Sequence, residues 1–210
     1  AAAIEASGQG VHVVLYEVRA GWAASCLPLG NGRCNFSHRG FRDSNYHGCH
    51  PHFVHDALAR FDEADTLAFF EALGLAWTVD ARARYYPESL QASAVLDVLR
   101  LVIEERGVEL HTDTRITAFG HAASGFDLRW KGGQAVADAV IVATGGEAAP
   151  KLGGTRDGYK LLSALGHTMI ETAPGIVQLF AMPSLKAANG LKRDVRLTLR
   201  ADGKSIASDS

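Results

Sequence analysis

Residues 140–159 read VIVATGGEAAPKLGGTRDGY. Val140, Ile141 and Val142 form a short, continuously apolar, β-branched run, the composition of a strand buried on both faces of a parallel sheet. Thr144, Gly145 and Gly146 break it abruptly. Glycines and a small hydroxyl residue at a strand end let backbone approach a ligand and offer it unhindered N–H groups, so these three are candidate nucleotide contacts. The second half supplies a helix start at Thr155 or Asp157, the periodic apolar residues Tyr159, Leu161, Leu162 and Leu165, and a stop at Gly166. A helix N-terminus therefore follows the glycine turn, and Thr155, Asp157 and Gly158 join the candidates.

Toward the N-terminus, Ala1 to Ser7 reads as the end of a helix closed by Gly8 and Gly10, and Val11 to Tyr16 (VHVVLY) as a strand with Glu17 at its carboxyl end. Helix, glycine, strand, acid is the second half of a Rossmann βαβ unit, in which the acid hydrogen-bonds an adenosine ribose hydroxyl. Glu17 is the candidate for that role. The first strand of such a unit and its G-x-G-x-x-G turn are expected upstream of Ala1, so residues 1–210 are expected to be part of a longer protein, to fold poorly alone and to hold no cofactor alone.

Between Leu29 and Phe36 lies GNGRCN, Gly30 to Asn35. Gly30 and Gly32 permit positive φ and close backbone approach, and Arg33 is suited to neutralise a pyrophosphate or to face a substrate carboxylate. A strand ending in ATGG, a T-x-D-G helix opening and this loop together resemble the flavin-binding domains of glutathione-reductase-like and fumarate-reductase-like flavoproteins, and specifically the HI0933-like family of NAD(P)/FAD-dependent oxidoreductases. The family's loop runs G-G/N-G-R-C-N-x-[ST]-N; here His38 replaces the last Asn. Its G-R-x-[FY]-P segment is matched by Arg84-Tyr85-Tyr86-Pro87, with Ala83 where glycine is common, and its x-A-S-x start by Gln91-Ala92-Ser93-Ala94. Gly166-His167-Thr168 and Pro174 to Leu179 match further segments, with Gln178 in place of a usual proline.

The resemblance implies an α/β fold: a Rossmann-like FAD-binding domain of the glutathione-reductase type, three-layered, with a parallel sheet and a small β-meander. That domain is expected over residues 1–179, with an inserted substrate-side β domain beginning at 180–210, where Val195, Leu197 and Leu199 alternate with charged neighbours. It also implies FAD as cofactor, held by Glu17, Gly30, Gly32, Arg33, Cys34, Asn35, Thr144, Gly145, Gly146, Thr155, Asp157 and Gly158, with Ile116 meeting the adenine through its backbone. Asp157 is expected as a hydroxyl acceptor on the FAD. Electrons are expected to pass through the flavin from NAD(P)H or to dioxygen; oxidation of a small amine, and an inactive fragment or nucleotide-binding module, are the alternatives. No residue of the chain qualifies as catalytic, and His167 reads as a turn residue.

The remaining elements follow from period and punctuation. Phe53 to Leu73 holds two helical patterns, with Asp62 or Asp65 capping the second and Gly74 ending it; Trp77 to Tyr86 reads as a hairpin. Ala92 to Glu105 is an amphipathic helix closed by Gly107; Val108–His111 and Thr114–Phe119 are short strands; Phe126–Trp130 and Gln134–Ala137 flank a turn at Lys131 to Gly133. With 47% apolar residues the chain fills a real core, and 21 basic against 23 acidic residues include no basic block that would point to nucleic acid or an anionic membrane; the expected partner is a small-molecule substrate, with no nucleic acid and no membrane. No membrane-length apolar run and no signal-peptide pattern occur, so the expectation is cytoplasmic; no feature specifies an oligomeric state. Cys26, Cys34 and Cys49 have no disulfide-scaffold spacing, and with His38, His47, His50, His52 and His55 they match no paired metal-ligand spacing, so no metal is expected.

Overall fold

A computed structural model describes residues 1–22, 27, 31–40, 42–46, 50–173 and 196–209. The chain divides into two compact units, residues 1–170 and 171–210.

In chain order, the first unit comprises helix α1 (Ala2–Ser7), strand β1 (Val14–Tyr16), strand β2 (Ser37–His38), helices α2 (His55–Arg60) and α3 (Glu63–Ala72), strands β3 (Trp77–Val79) and β4 (Arg84–Pro87), and helix α4 (Ala92–Glu105). Strand β5 (Glu109–His111), the strands β6 (Ile116–His121), β7 (Phe126–Trp130) and β8 (Gly133–Ala137), and helix α5 (Asp157–Ala164) complete it. A 3-10 turn, Pro51–Val54, with proline at its start, leads directly into α2.

β1 and β5 pair in parallel, Val14 opposite Glu109 and Tyr16 opposite His111. Successive side chains of β1 point to opposite faces, and the two faces carry different layers. Val13 and Leu15 pack on the helical layer, where Ile4 of α1, Ile103 of α4 and Val108 form a buried cluster. Arg106, just beyond α4, donates from Nη1 to the Ile4 carbonyl at 2.7 Å, an oxygen that also accepts the Gly8 N–H and the Ser7 hydroxyl, and so ties the end of α4 to α1. Tyr16 faces the other way, onto Phe119, Leu128 and Leu161 of the antiparallel meander β6-β7-β8 and of α5. Helices, parallel pair and meander are the three expected layers.

The third sheet, in the order β2-β4-β3, is antiparallel. Asp62 closes a capping box with Asp65 at the start of α3, and Gly74, at φ +84°, follows its end. Ala83, where glycine is common in the resemblance, adopts φ +60°. That left-handed backbone is the physical reason glycine suits the position. In the second unit β9 (Leu197–Ala201) and β10 (Lys204–Asp209) form an antiparallel hairpin. The expected boundary at 179/180 lies outside the described residues, as do Val195 and Pro174 to Leu179.

Two expectations are corrected. Val140 to Val142 is not a strand: the segment carries no ladder pairing among the described residues, and Ile141 is 66% exposed. Val140 and Val142 still pack on the Tyr16 side of the core, so the alternation is that of a segment covered on one face only. A parallel strand is defined by neighbours that accept and donate along its edges, and none of the described strands pairs with this segment. The first strand is also shorter than Val11 to Tyr16, beginning at Val14, with Val11 56% exposed.

Candidate functional site

Parallel sheets bind ligands beyond the carboxyl ends of their strands, where loops diverge. Glu17 stands at that end of β1. Its backbone continues the ladder, donating to the His111 carbonyl at 2.8 Å and accepting from the Thr114 N–H at 2.9 Å. Its Oε1 accepts the Arg19 N–H at 2.9 Å, and among the described residues Oε2 accepts no hydrogen bond. Immediately before it, the Tyr16 ring stacks on His111, 5.2 Å between centroids, and meets Trp130 at 5.1 Å. Burial, with the charge of Glu109 added, holds the Tyr16 phenol above its ordinary pKa and keeps it protonated.

The glycine turn supplies the second part. Thr144 and Gly145 are exposed; Gly145 has φ +70°, and no described atom lies within 4 Å of where its Cβ would stand. Gly146 is closer packed, since a Cβ there would lie 2.7 Å from the Tyr159 hydroxyl. At Gly158, in the first turn of α5, a Cβ would collide with Thr144 Oγ1, so the glycine lets the helix start seat against the turn. Both proposed helix-start residues take part: Arg156 is the cap, Asp157 is the first helical residue, and its N–H donates to Thr155 Oγ1 at 3.2 Å. Gly166, at φ +89°, ends the helix as expected.

The Asp157 carboxylate, 27% exposed, is paired with Arg115 Nη1 at 2.8 Å. That pair lines a cleft of about 230 Å³ between β6 and α5, together with Ile116 and Lys160. Asp157 and Ile116 are thus brought together. Arg156, beside them, is paired with Glu147 at 3.1 Å, tying the helix start to the residue after Gly146.

The GNGRCN loop makes a separate cluster over the start of α4. Gly30 lies outside the described residues. Asn31 (φ +58°), Gly32 (φ +80°) and Cys34 (φ +57°) are left-handed, and the Gly32 carbonyl accepts the Ala92 N–H at 2.8 Å. The Cys34 side chain is buried with Leu75, Ala92 and Val95, whereas Asn35 is exposed. A contact from Cys34 to a ligand is therefore confined to its backbone. The Arg33 guanidinium lies over the Tyr86 ring, 4.7 Å from its centroid.

Several partners carry no local signal in the sequence. Tyr85, 3% exposed, donates from its hydroxyl to Glu63 Oε1 at 2.8 Å and accepts from Arg39 Nε at 3.3 Å, while Gly40 N–H donates to Glu63 Oε2 at 2.6 Å. This network raises the Arg39 pKa and pins the end of β2 to α3. The aromatic pair before Pro87 was the available hint, since two adjacent tyrosines on one strand face opposite sides.

The family description HI0933-like protein Rossmann domain matches residues 1–190. The chain belongs to the HI0933-like family. It is 35% identical over 200 residues to the 3-dehydro-bile acid delta(4,6)-reductase of Clostridium scindens, covering 94% of this chain and 48% of that protein. It is 28% identical over 151 residues to the ribosomal RNA dihydrouridine synthase of Escherichia coli, covering 72% of this chain and 38% of that protein. The corresponding synthase of Haemophilus influenzae is 25% identical over 187 residues, 86% of this chain and 46% of that protein. The chain spans about half the length, or less, of these curated relatives. Among the described residues no helix is long and apolar enough to cross a membrane.

Proposed function

We propose that this HI0933-like chain is the Rossmann portion of a FAD-dependent oxidoreductase that takes electrons from NAD(P)H and reduces a carbon–carbon double bond. The observation that carries the reading is Glu17 at the carboxyl end of the parallel pair, with Oε2 available as an acceptor. A dinucleotide suits the described residues: Glu17 for the ribose hydroxyl, and the open, left-handed Gly145 with exposed Thr144 for close approach of a flat or charged group. Gly30, Gly32, Arg33, Cys34, Asn35, Ile116, Gly146, Thr155, Asp157 and Gly158 complete the proposed contact set. Bound FAD would supply hydride acceptance and donation at its N5, and the protein's part is to bind and orient it. In this reading residues 1–179 belong to the FAD domain and 180–210 open a substrate-side domain.

The choice of reduction rests on the names of the relatives. One is a delta(4,6)-reductase and two are dihydrouridine synthases, both names denoting addition of hydrogen across a double bond. Because two of them act on ribosomal RNA by name, an RNA substrate stands beside the expected small molecule.

The test is the full-length protein, loaded with FAD and titrated anaerobically with NADH, NADPH and small amines while flavin bleaching is followed. The reduced protein is then offered a 3-oxo steroid dienone, uridine-containing RNA or dioxygen. Bleaching by NADH or NADPH with reoxidation by a conjugated double bond supports the reading. Bleaching by amines alone replaces it with amine oxidation, and no FAD retention overturns it.

A further inference from the structure

Arg33 is fixed from three directions. On its N-terminal side Gly32 is left-handed and its carbonyl is held by the Ala92 N–H, at the start of α4. On its C-terminal side Cys34 is also left-handed, and its thiol is buried in the core with Leu75 and Val95. These two anchors set the Arg33 backbone. The side chain is then held by the Tyr86 ring, itself 1% exposed, with the guanidinium carbon 4.7 Å from the ring centroid. A second guanidinium, that of Arg84, lies 5.7 Å from the same ring and is tied to Asp80 Oδ2 at 2.6 Å.

An arginine normally carries rotamer freedom that must be given up when it grips an anion. Here much of that freedom is already gone, and a preorganised planar fork binds a carboxylate or phosphate more tightly than a free one. We propose that Tyr86 is a positioning residue, whose ring holds the Arg33 guanidinium ready to grip an oxyanion. The inference rests on the flavoprotein reading for the source of that oxyanion, the diphosphate of FAD or a carboxylate of the substrate, but the Tyr86–Arg33 geometry does not.

Two measurements keep the parts distinguishable. In protein labelled with 15N-arginine, the Arg33 Nε–H signal should be shifted upfield by the ring current, keep that shift in Y86F and lose it in Y86L. Absence of the shift in the wild type overturns the proposal whatever flavin binding does. In flavin titrations, R33K and Y86L should weaken FAD binding about three- to tenfold, with Y86F within about twofold of wild type and riboflavin unaffected throughout. That pattern assigns the diphosphate. Unchanged FAD affinity with a weakened flavin spectral response to succinate in R33K and Y86L assigns a carboxylate. R33K leaves the core untouched, so it decides the matter if Y86L does not fold, and wild-type behaviour of R33K in both titrations overturns the proposal.

Discussion

The guanidinium of Arg19 stands where a side chain at position 153 would have to go: a Cβ on Gly153 would fall 2.5 Å from Nη2 and 2.6 Å from Cζ. Gly153 also has φ +98°. The loop after β1 and the turn before α5 therefore meet through an arginine and a missing side chain.

Replacing Gly153 with alanine adds a collision to a left-handed backbone that alone costs an L-residue about 1–2 kcal/mol. G153A is expected to lower the urea unfolding free energy by at least that amount. In R19A/G153A the collision part should return and the backbone part persist, so the two substitutions should couple. Simple additivity would mean that the Arg19 guanidinium, the far end of a flexible side chain, swings clear of the new methyl at little cost.

Ala83 is the opposite case. Its φ of +60° is imposed by the turn between β3 and β4, where its N–H donates to the Asp80 carbonyl at 3.0 Å. A83G removes left-handed strain of about 1–2 kcal/mol and adds an unfolded-state entropy cost of about 0.5–1 kcal/mol. The net expectation is stabilisation by about 0.5–1 kcal/mol, visible as a higher thermal midpoint, and a lower midpoint refutes it.

Acid should probe the same turn. Hydrogen bonds from the Arg84 guanidinium, then from the Arg84 and Arg82 backbone N–H groups, pull the Asp80 carboxyl from 3.8 down to about 2. The folded pKa is depressed, so this contribution is complete above about pH 4 and is lost as pH falls through about 2. Urea midpoints measured across that window should fall less steeply in D80N than in wild type. Parallel curves would mean that other carboxylates carry the acid response.

Gly158 and Thr144 offer a test of how α5 seats on the glycine turn. G158A places a Cβ onto Thr144 Oγ1, 3.5 Å from Val142 Cγ1. A loss of about 1–3 kcal/mol is expected, the range for overpacking, and T144A/G158A should recover most of it. If T144A gives no recovery, the helix and turn are not in contact there.

Tyr85 carries a separable structural load. Y85F keeps the ring in its buried place and removes the hydroxyl that donates to Glu63. A hydrogen bond to a charged acceptor of this kind contributes about 1.5–3 kcal/mol, and the partly exposed Glu63 places the expectation at about 1.5. E63Q should be destabilised as well, because its single amide oxygen cannot accept from both the Tyr85 hydroxyl and the Gly40 N–H.

Elements governed by their own side chains were legible in the sequence. Ala92 to Glu105 is helical over the expected span because Val95, Leu96, Leu99 and Ile103 make one stripe and Gly107 supplies the left-handed stop. Asp62 caps α3 for a similarly local reason. Val140 to Val142 misled because β-branching states a preference for extended backbone, whereas strand pairing depends on what lies alongside. Arg19 over Gly153 and Arg33 over Tyr86 join residues far apart in the chain, and no spacing records such meetings. The candidate contacts were legible as residues; Arg115 on Asp157 and the burial of Cys34 were not.

The parallel pair also dictates an order of assembly. β6, β7 and β8 close through short turns, and β3 with β4 likewise, so these ladders form at the speed of local hairpins. Val14 pairs with Glu109 across a stretch of chain that includes α2, α3 and α4. Loop closure of that length is the slow, entropically opposed kind. Glu17 therefore takes its place beside His111 through a pairing of long sequence separation, and the site at the end of β1 is expected to form later than the local hairpins.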